Sequence, residues 1–249
     1  MNQDMRSKSG PDGLQVGDPP LAGRYVLREL LGAGSFGVVY RAHDSHRDEE
    51  VAVKLLRMTT PEDIRLLKKE FRTVRNLAHP HLVTLRDLHQ EGDLCFFTMD
   101  SLPGKSLDQF LPERPTITLI ESVCRILADV ASGLWALHSC GIVHRDLKPT
   151  NVIVTTEGVG VVLDFGLASR VENPIAARGR SGFFTGSPGY ASPEQSIGDD
   201  NPGPASDLFS LGVVLYEAIE RRLPFEHFEI ALAASCEAQP EVAFGKSWP

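Results

Sequence analysis

The side chains of this chain that are best suited to chemistry lie in two short motifs. The run HRDLKPTN begins at His144, and the tripeptide DFG begins at Asp164. The first motif contains a carboxylate at Asp146, a cation at Lys148 and an amide at Asn151. Carboxylate and amide oxygens are typical ligands of Mg²⁺. A base, a cation and two metal ligands, Asn151 and Asp164, are the groups that phosphoryl transfer from a nucleoside triphosphate requires.

The segment between the two motifs has to bring them together. Residues 152–154 and 159–163 are rich in β-branched side chains and flank Glu157-Gly158. This pattern predicts two antiparallel strands joined by a tight turn. The start of one strand then adjoins the end of the other. We therefore expect Asn151 and Asp164 to lie side by side, as two ligands of one metal ion must.

A glycine-rich stretch, GAGSFGVV, begins at Gly32. Glycines allow backbone amides to approach phosphate groups, because no side chain obstructs them. A dinucleotide-binding turn has the same glycine spacing, but it opens a helix. Here residues 38–42 instead have the composition of a second strand, and a third strand-like run, Val51–Lys54, ends on a cation.

The segment Pro61–Leu77 has the periodicity of a helix with one apolar face. The apolar residues of that face are Ile64, Leu67, Phe71, Val74 and Leu77. Glu70 lies on the same face, and a buried carboxylate without a partner is costly. We expect Glu70 to form an ion pair with Lys54. The alternative is that Glu70 lies at the margin of the face and pairs with Lys69 or another solvated cation.

Together these motifs resemble those of the Ser/Thr protein kinases, and they are most similar to the eukaryotic-like kinases of bacteria. The resemblance covers the chain from about Tyr25 to Phe225. It implies an α+β bilobal fold, with a small β-rich lobe that contains one key helix and a mainly helical large lobe that is incomplete here. It also implies ATP as the phosphate donor, Mg²⁺ or Mn²⁺ as the metal, and Ser or Thr hydroxyls of proteins as acceptors, which is the EC 2.7.11.1 type of activity.

The resemblance assigns catalytic roles to four residues. Asp146 would accept the hydroxyl proton, and Lys148 would offset the charge on the transferred phosphoryl group. A lysine at this place also separates the Ser/Thr type from the tyrosine type. Lys54 would hold the α- and β-phosphates, and Glu70 would orient Lys54.

The resemblance also indicates how the adenine would bind. Residues 100–104 would be the hinge between the lobes. The Asp100 carbonyl and the Leu102 amide would bond the base, and Met99 would guard the deeper pocket.

Apolar side chains would pack on the two sides of the base. The resemblance assigns this role to Val39, Ala52 and Ile153, although aliphatic residues on strands are as often ordinary core. The whole set assigned to ATP binding is Leu31, Gly32, Ala33, Gly34, Ser35, Phe36, Gly37, Val39, Ala52, Lys54, Met99, Asp100, Leu102, Asn151, Ile153 and Asp164.

Three helices are predicted in the large lobe. Ser106–Leu111 and Ile120–His138 precede the HRDLKPTN motif, and the second of these leads directly into it. Ser206–Glu217 resembles the buried helix that anchors this lobe. By resemblance, Asp207 would tie down the backbone of the catalytic loop, and Gly212 would allow close packing.

The run GSPGYASPE, residues 186–194, resembles the end of a kinase activation segment. Ser187 would contact Asp146 and Lys148 and help to define Ser/Thr specificity. Ser192 stands where most of the family has alanine. Upstream, Ser181 and Thr185 are candidate regulatory phosphosites, including for autophosphorylation, and ordinary loop hydroxyls are the alternative.

The resemblance and the composition divide the chain into five segments. They are a flexible leader (1–23), a small lobe (24–99), a hinge (100–104), a partial large lobe (105–225), and a helix with an irregular tail (226–249). The family's usual arginine partner of Glu194 is not found in the last segment. This departure keeps one alternative open, a truncated pseudokinase or nucleotide-binding scaffold without transfer activity. A small-molecule phosphotransferase of related fold is a further alternative, but it would lack the segment 186–194, which is present here.

Composition excludes several other classes of protein. The 249 residues are 42% hydrophobic, which is enough for a sizeable core, and the net charge of -8 argues against general nucleic-acid binding. The four cysteines are scattered without metal-ligand spacing, so we expect reduced thiols in the core of a cytoplasmic protein. The polar N-terminus is unlike a signal peptide, and no apolar run is long enough to cross a membrane. The sequence makes no prediction of an oligomeric state.

Overall fold

A computed structural model describes residues 14–34, 37–57, 60–92, 94–112, 116–165, 187, 189–197, 199 and 201–225. The chain forms two compact units. The first contains the residues up to Ala78 together with Thr84–Ser101, and the second contains His79–Val83 together with the residues from Leu102 onward.

The first unit is built on a five-stranded antiparallel sheet with the order β1-β2-β3-β5-β4. The strands are β1 (Tyr25–Gly34), β2 (Gly37–Asp44), β3 (Glu49–Leu56), β4 (Leu85–Glu91) and β5 (Leu94–Asp100). Apolar residues on one face of this sheet form a buried core because successive side chains of a strand point to opposite faces. This core includes Val38, Tyr40, Ala42, Val51, Val53, Leu55 and Phe96.

Helix α1 (Pro61–Val74) begins with strong local signals. The Thr60 side chain caps the amide of Asp63, and the Asp63 side chain accepts from the amide of Thr60. Proline occupies the first helical turn, where its missing N–H is no loss. The helix ends at Val74, three residues before the predicted Leu77, which instead closes a turn by donating its amide to the Val74 carbonyl.

Residues 14–23 differ from the predicted flexible leader. Leu21 is buried in the core of the sheet, and its backbone bridges to Tyr25. The Tyr40 hydroxyl donates to the Leu14 carbonyl at 2.9 Å. Leu14 and Leu21 therefore contact the core of the first unit, which the average composition of this segment did not indicate.

The second unit combines helices with a three-stranded sheet of order β6-β7-β8. Its elements are β6 (Gly104–Ser106), α2 (Leu107–Phe110), α3 (Ile117–Ser139), a 3₁₀ turn (Pro149–Asn151), β7 (Val152–Thr155), β8 (Gly160–Val162), α4 (Pro193–Ser196) and α5 (Pro204–Glu220). The predicted antiparallel hairpin is confirmed as β7 and β8. The three predicted helices correspond to α2, α3 and α5, within a few residues at each end, whereas β6 was not predicted.

Two packing predictions in this unit were wrong. Cys124 and Cys140 are exposed on α3 and at its C-terminus, so only Cys95, in the first unit, is a core thiol among the described residues. Gly212 is exposed, and a Cβ at this position would meet no atom of the described residues within 4 Å. Its lack of a side chain is therefore not needed for close packing in the described part of the chain.

None of the described helices is both long enough and apolar enough to cross a bilayer.

Candidate active site

Strand register places a set of predicted nucleotide-binding side chains on one face of the first unit's sheet. Lys54 on β3 is paired with Val39 on β2 and with Phe97 on β5. Ala52, two residues before Lys54, is paired with Met99. Because residues paired across strands, and residues two apart along a strand, share a face, all five side chains lie on the side of the sheet opposite the core described above.

Helix α1 packs on this same face. The ring of Phe71 lies 6.1 Å from the ring of Phe97, which is the cross-strand neighbour of Lys54. Lys54 is buried, with 5% of its surface exposed, and Glu70, next to Phe71, is half-buried. A buried ammonium requires a compensating charge. The packing thus supports the Lys54–Glu70 ion pair, which stays a prediction.

The glycine-rich stretch connects β1 and β2. Gly32 is paired with Val39, and Gly34 with Gly37, and the two residues between Gly34 and Gly37 lie outside the described part of the chain. Gly37 has φ +144°, and a Cβ there would lie 1.8 Å from the Leu55 carbonyl oxygen, so only glycine fits. At Gly32 and Gly34, by contrast, a Cβ would meet no described atom within 4 Å. Their lack of side chains serves no packing there, which agrees with a backbone left open to a ligand.

The predicted hinge begins at the end of β5. The Asp100 carboxylate accepts a hydrogen bond from Arg86 Nε at 2.6 Å, and Arg86 also bonds Glu49. The Asp100 amide donates to the Thr84 carbonyl at 3.0 Å. The boundary between the two units falls after Ser101, inside the predicted hinge segment.

The β7–β8 hairpin of the second unit brings the two candidate metal ligands together. Val152 is paired with Val162, and the Leu163 amide donates to the Asn151 carbonyl at 2.9 Å. Asn151 therefore lies beside the residue that precedes Asp164. Asp164 has φ +56°, a conformation that non-glycine residues seldom adopt.

Asp146 is the centre of a polar cluster. Lys148 Nζ lies 2.8 Å from Asp146 Oδ2 and 2.7 Å from the Ser187 hydroxyl. Asn151 Nδ2 donates to the Asp146 carbonyl at 2.8 Å and approaches its carboxylate at 3.3 Å. The predicted contact of Ser187 with Lys148 is therefore confirmed, and the carboxylate is held by a cation on one side and an amide on the other.

The groups around Asn151 fit a divalent cation. Its amide nitrogen is engaged by Asp146, which turns the amide oxygen in the opposite direction. With the Asp164 carboxylate, this arrangement offers two oxygen donors of the kind that Mg²⁺ takes when a nucleotide's phosphates supply further ligands.

The loop formed by the HRDLKPTN motif, called the catalytic loop below, has a strained backbone at Arg145. Arg145 has φ +68°, and such a conformation costs a non-glycine residue roughly 1–2 kcal/mol. Asp207 on α5 offsets this cost, because its carboxylate accepts from the amides of His144 and Arg145, each at 2.8 Å. His138 Nε2 lies 2.8 Å from the same carboxylate. The predicted role of Asp207 is thus confirmed.

The bonds to Asp207 also determine its charge state. Burial alone would raise its pKa, but the hydrogen bonds from His138 and from the two loop amides outweigh burial and lower the pKa below the ordinary value. Asp207 is therefore a carboxylate at neutral pH. Loss of its charge would leave the strained loop without its main acceptor.

His144 connects the two motifs. Its Nδ1 accepts from the Asp146 amide at 3.3 Å, and its Nε2 lies 2.8 Å from the Leu163 carbonyl. With Nδ1 as acceptor, Nε2 carries the proton and donates to Leu163. The His144 side chain is fully buried, so these hydrogen bonds fix its ring between the two motifs.

The sequence did not reveal three further residues around the loop. Gln195 Nε2 donates to the Arg145 carbonyl at 2.7 Å, and Ser206 donates to the carboxylate of Glu194. Glu194 therefore has a partner other than the arginine that the family would supply. His138 is the third, since its bond to Asp207 was not predicted. The S-x-x-Q spacing of residues 192–195 could have predicted a helix cap, but not the bond to the loop.

Besides Ser35 and Phe36, three groups of predicted residues lie outside the described part of the chain. They are residues 1–13 of the predicted leader, the candidate phosphosites Ser181 and Thr185, and the segment 226–249.

Comparisons with known proteins agree with this geometry. The protein kinase domain family matches residues 25–242. The chain is 35% identical to the serine/threonine-protein kinase drp72 of Corynebacterium efficiens over 230 residues, which cover 88% of this chain and 43% of that protein. It is 35% identical to serine/threonine-protein kinase PknA of Mycobacterium tuberculosis over 213 residues, covering 82% and 48%. It is 32% identical to serine/threonine-protein kinase PrkC of Bacillus subtilis over 231 residues, covering 92% and 35%. The chain spans less than half the length of each of these relatives.

Proposed function

The chain belongs to the protein kinase family, and from this premise we propose that it transfers the γ-phosphate of Mg-ATP to Ser and Thr hydroxyls of proteins (EC 2.7.11.1 type). The observation that carries the proposal is the cluster in which Lys148 bonds both Asp146 and Ser187 while Asn151 holds the same aspartate. This cluster combines the proton acceptor with a cation that can neutralise a phosphoryl group.

In the proposed reaction, the acceptor hydroxyl oxygen attacks the γ-phosphorus of ATP. The bond from that phosphorus to the bridging oxygen breaks, ADP leaves, and the hydroxyl proton passes to the Asp146 carboxylate. Lys148 offsets the charge that develops on the transferred group. Because Lys148 already donates to Asp146 Oδ2, that bond also fixes the direction in which the carboxylate points.

Asn151 and Asp164 would hold Mg²⁺, which neutralises phosphate charge when bound. Mn²⁺ has a similar preference for oxygen ligands. Lys54 would hold the α- and β-phosphates, oriented by Glu70. The burial of Lys54 in the first unit's sheet supports this role, since a lysine is seldom so buried unless its charge is used.

The acceptor specificity is proposed from two residues. Lys148 follows Asp146 by two positions, as in the Ser/Thr type of the family, and its bond to Ser187 ties it to the segment that precedes α4.

We also propose autophosphorylation in the segment that contains Ser181 and Thr185, and a cytoplasmic location, which rests on the scattered cysteines alone.

Intact mass spectrometry tests the proposal. The chain is incubated with ATP and Mg²⁺ beside the Asp146→Asn and Lys54→Met variants, with casein as an added acceptor. With the parent chain alone, we expect additions of about 80 Da, the mass of one HPO₃ group, to casein or to the chain itself. Retained ATP-dependent thermal stabilisation without any addition would instead show a nucleotide-binding pseudokinase or scaffold.

A further inference from the structure

One peptide group next to the catalytic base is held at both ends. The carbonyl of Arg145 accepts from Gln195 Nε2 at 2.7 Å, and the amide of Asp146 donates to His144 Nδ1 at 3.3 Å. This peptide follows the strained φ of Arg145 and precedes the Asp146 side chain directly. Asp207 bonds the amide on the other side of Arg145 and does not reach this carbonyl. Gln195 therefore supplies a restraint that Asp207 does not.

The oxygen and the nitrogen of the Gln195 side-chain amide bind different groups. Its Oε1 accepts from the Ser192 amide at 3.1 Å, and the Gln195 amide donates in return to Ser192 Oγ at 3.4 Å. This reciprocal pair is a capping box at the start of α4, and a glutamate closes such a box as well as a glutamine does. The capping box uses the side-chain oxygen of Gln195, whereas the bond to Arg145 uses its side-chain nitrogen.

The box is fixed to the helix that carries Asp207. Ser192 Oγ donates to the hydroxyl of Ser206 at 2.9 Å, and Ser206 precedes Asp207 on α5. Ser192 is fully buried, and Gln195 is 8% exposed. Water therefore competes little with these bonds, and the bond from Gln195 is correspondingly strong.

We propose that Gln195 is a positioning residue for phosphoryl transfer, because it fixes the Arg145–Asp146 peptide in the orientation that presents the Asp146 carboxylate. The inference rests on the proposed function and deepens it. Gln195 and Ser187 lie in the same segment of the chain, and they bond Arg145 and Lys148 respectively. Rearrangement of this segment would therefore break the bond to the Arg145 carbonyl and the bond to Lys148 at the same time.

The substitution Gln195→Glu tests the role of the nitrogen alone. It preserves the length and the acceptor of the capping box but replaces the donor with an oxygen that faces the Arg145 carbonyl. We expect kcat for ADP release, with casein as acceptor, to fall about ten- to hundredfold. The KM for ATP should stay close to that of the parent, whereas the melting temperature should fall, because one oxygen of a carboxylate at this buried position faces a carbonyl. Gln195→Met, which also lacks the donor, is measured beside it, so that the result does not depend on one variant folding.

The matched control is Ser192→Ala, which removes the hydroxyl of the box and leaves the Gln195 nitrogen in place. It should lower the melting temperature and keep kcat within about threefold of the parent. A kcat of either Gln195 variant within twofold of the parent would overturn the inference, as would an effect on KM for ATP alone. Absence of transfer by the parent chain would instead count against the proposed function.

Discussion

The two units of this protein position their candidate functional side chains by different physical means. In the first unit, Val39, Ala52, Lys54 and Met99 share a face because strand register and alternation put them there. In the second, Asp146 and its neighbours are held by side chains that bond the backbone of a strained loop. Apolar packing is non-directional and shared among many contacts, whereas each hydrogen bond has one geometry. The sheet should therefore tolerate substitutions that preserve volume, and the loop should not tolerate loss of a single acceptor.

The substitution Asp207→Ala should have the largest effect on stability. It leaves the buried amide of His144 and the partly buried amide of Arg145 without this acceptor, and we expect a loss of about 3–5 kcal/mol in the free energy of unfolding. Urea unfolding followed by far-UV circular dichroism measures this loss. A change below about 1 kcal/mol would show that the loop is held by packing, as the sheet is.

A pair of substitutions at Leu55 tests whether the sheet of the first unit tolerates a change that preserves volume. This residue is 1% exposed in the core of the sheet. Leu55→Ala should cost about 2–4 kcal/mol, while Leu55→Met, which preserves volume, should cost less than about 1.5 kcal/mol. The same urea titrations give both values. Equal losses for the two variants would mean that the sheet is as sensitive to geometry as the loop.

The sequence predicted contacts that depend on local geometry, but not bonds between residues far apart in the chain. Strand-like composition predicted β2, β3, β7 and β8, and the turn between β7 and β8 predicted that Asn151 and Asp164 adjoin, because both patterns express local geometry. The bond from Gln195 to Arg145 spans 50 residues, and that from Asp207 to His144 spans 63. No periodicity encodes such pairs. Resemblance supplied Asp207, and nothing in the sequence supplied Gln195.

The wrong predictions have the same origin. The exposure of Cys124 depends on which side of α3 is covered, and cysteine's usual preference for the interior says nothing about that. Leu21 is buried although its neighbours are proline, alanine and glycine, because the segment returns to Tyr25 through backbone hydrogen bonds. Composition averages over such single contacts and therefore misses them.

The pH dependence of stability provides a test at Asp44, a strongly bonded carboxylate of the sheet. Arg24 donates two hydrogen bonds to Asp44, at 2.6 and 2.5 Å, and lowers the Asp44 pKa from 3.8 to about 2. Because the folded-state pKa lies below the unfolded one, the stabilisation is complete above about pH 4 and disappears as the pH falls through 2.

The variant Asp44→Asn isolates this contribution. It should be about 2 kcal/mol less stable than the parent at pH 6, and the difference should shrink between pH 4 and pH 2. Urea titrations at several pH values follow the difference. A difference that is constant with pH would show that the charge of Asp44 is not what stabilises the sheet.

The smallest expected effect belongs to the start of α1. Thr60→Ala removes the side chain that caps the Asp63 amide, and we expect a loss of about 1 kcal/mol. Thr60→Ser keeps the hydroxyl and should restore most of the stability. If the two variants lose equal stability, the cap does not contribute.

The central claim is that the Asp146 cluster performs the transfer while the first unit's sheet provides separate groups for the nucleotide. The most direct test is the rate of γ-phosphate transfer to casein by Asp146→Asn at saturating Mg-ATP, with the Kd for ATP measured on the same preparation. We predict a fall of about 10²–10⁴-fold in rate with a Kd within about threefold of the parent. Transfer within tenfold of the parent rate would contradict the account, because the base would then lie elsewhere.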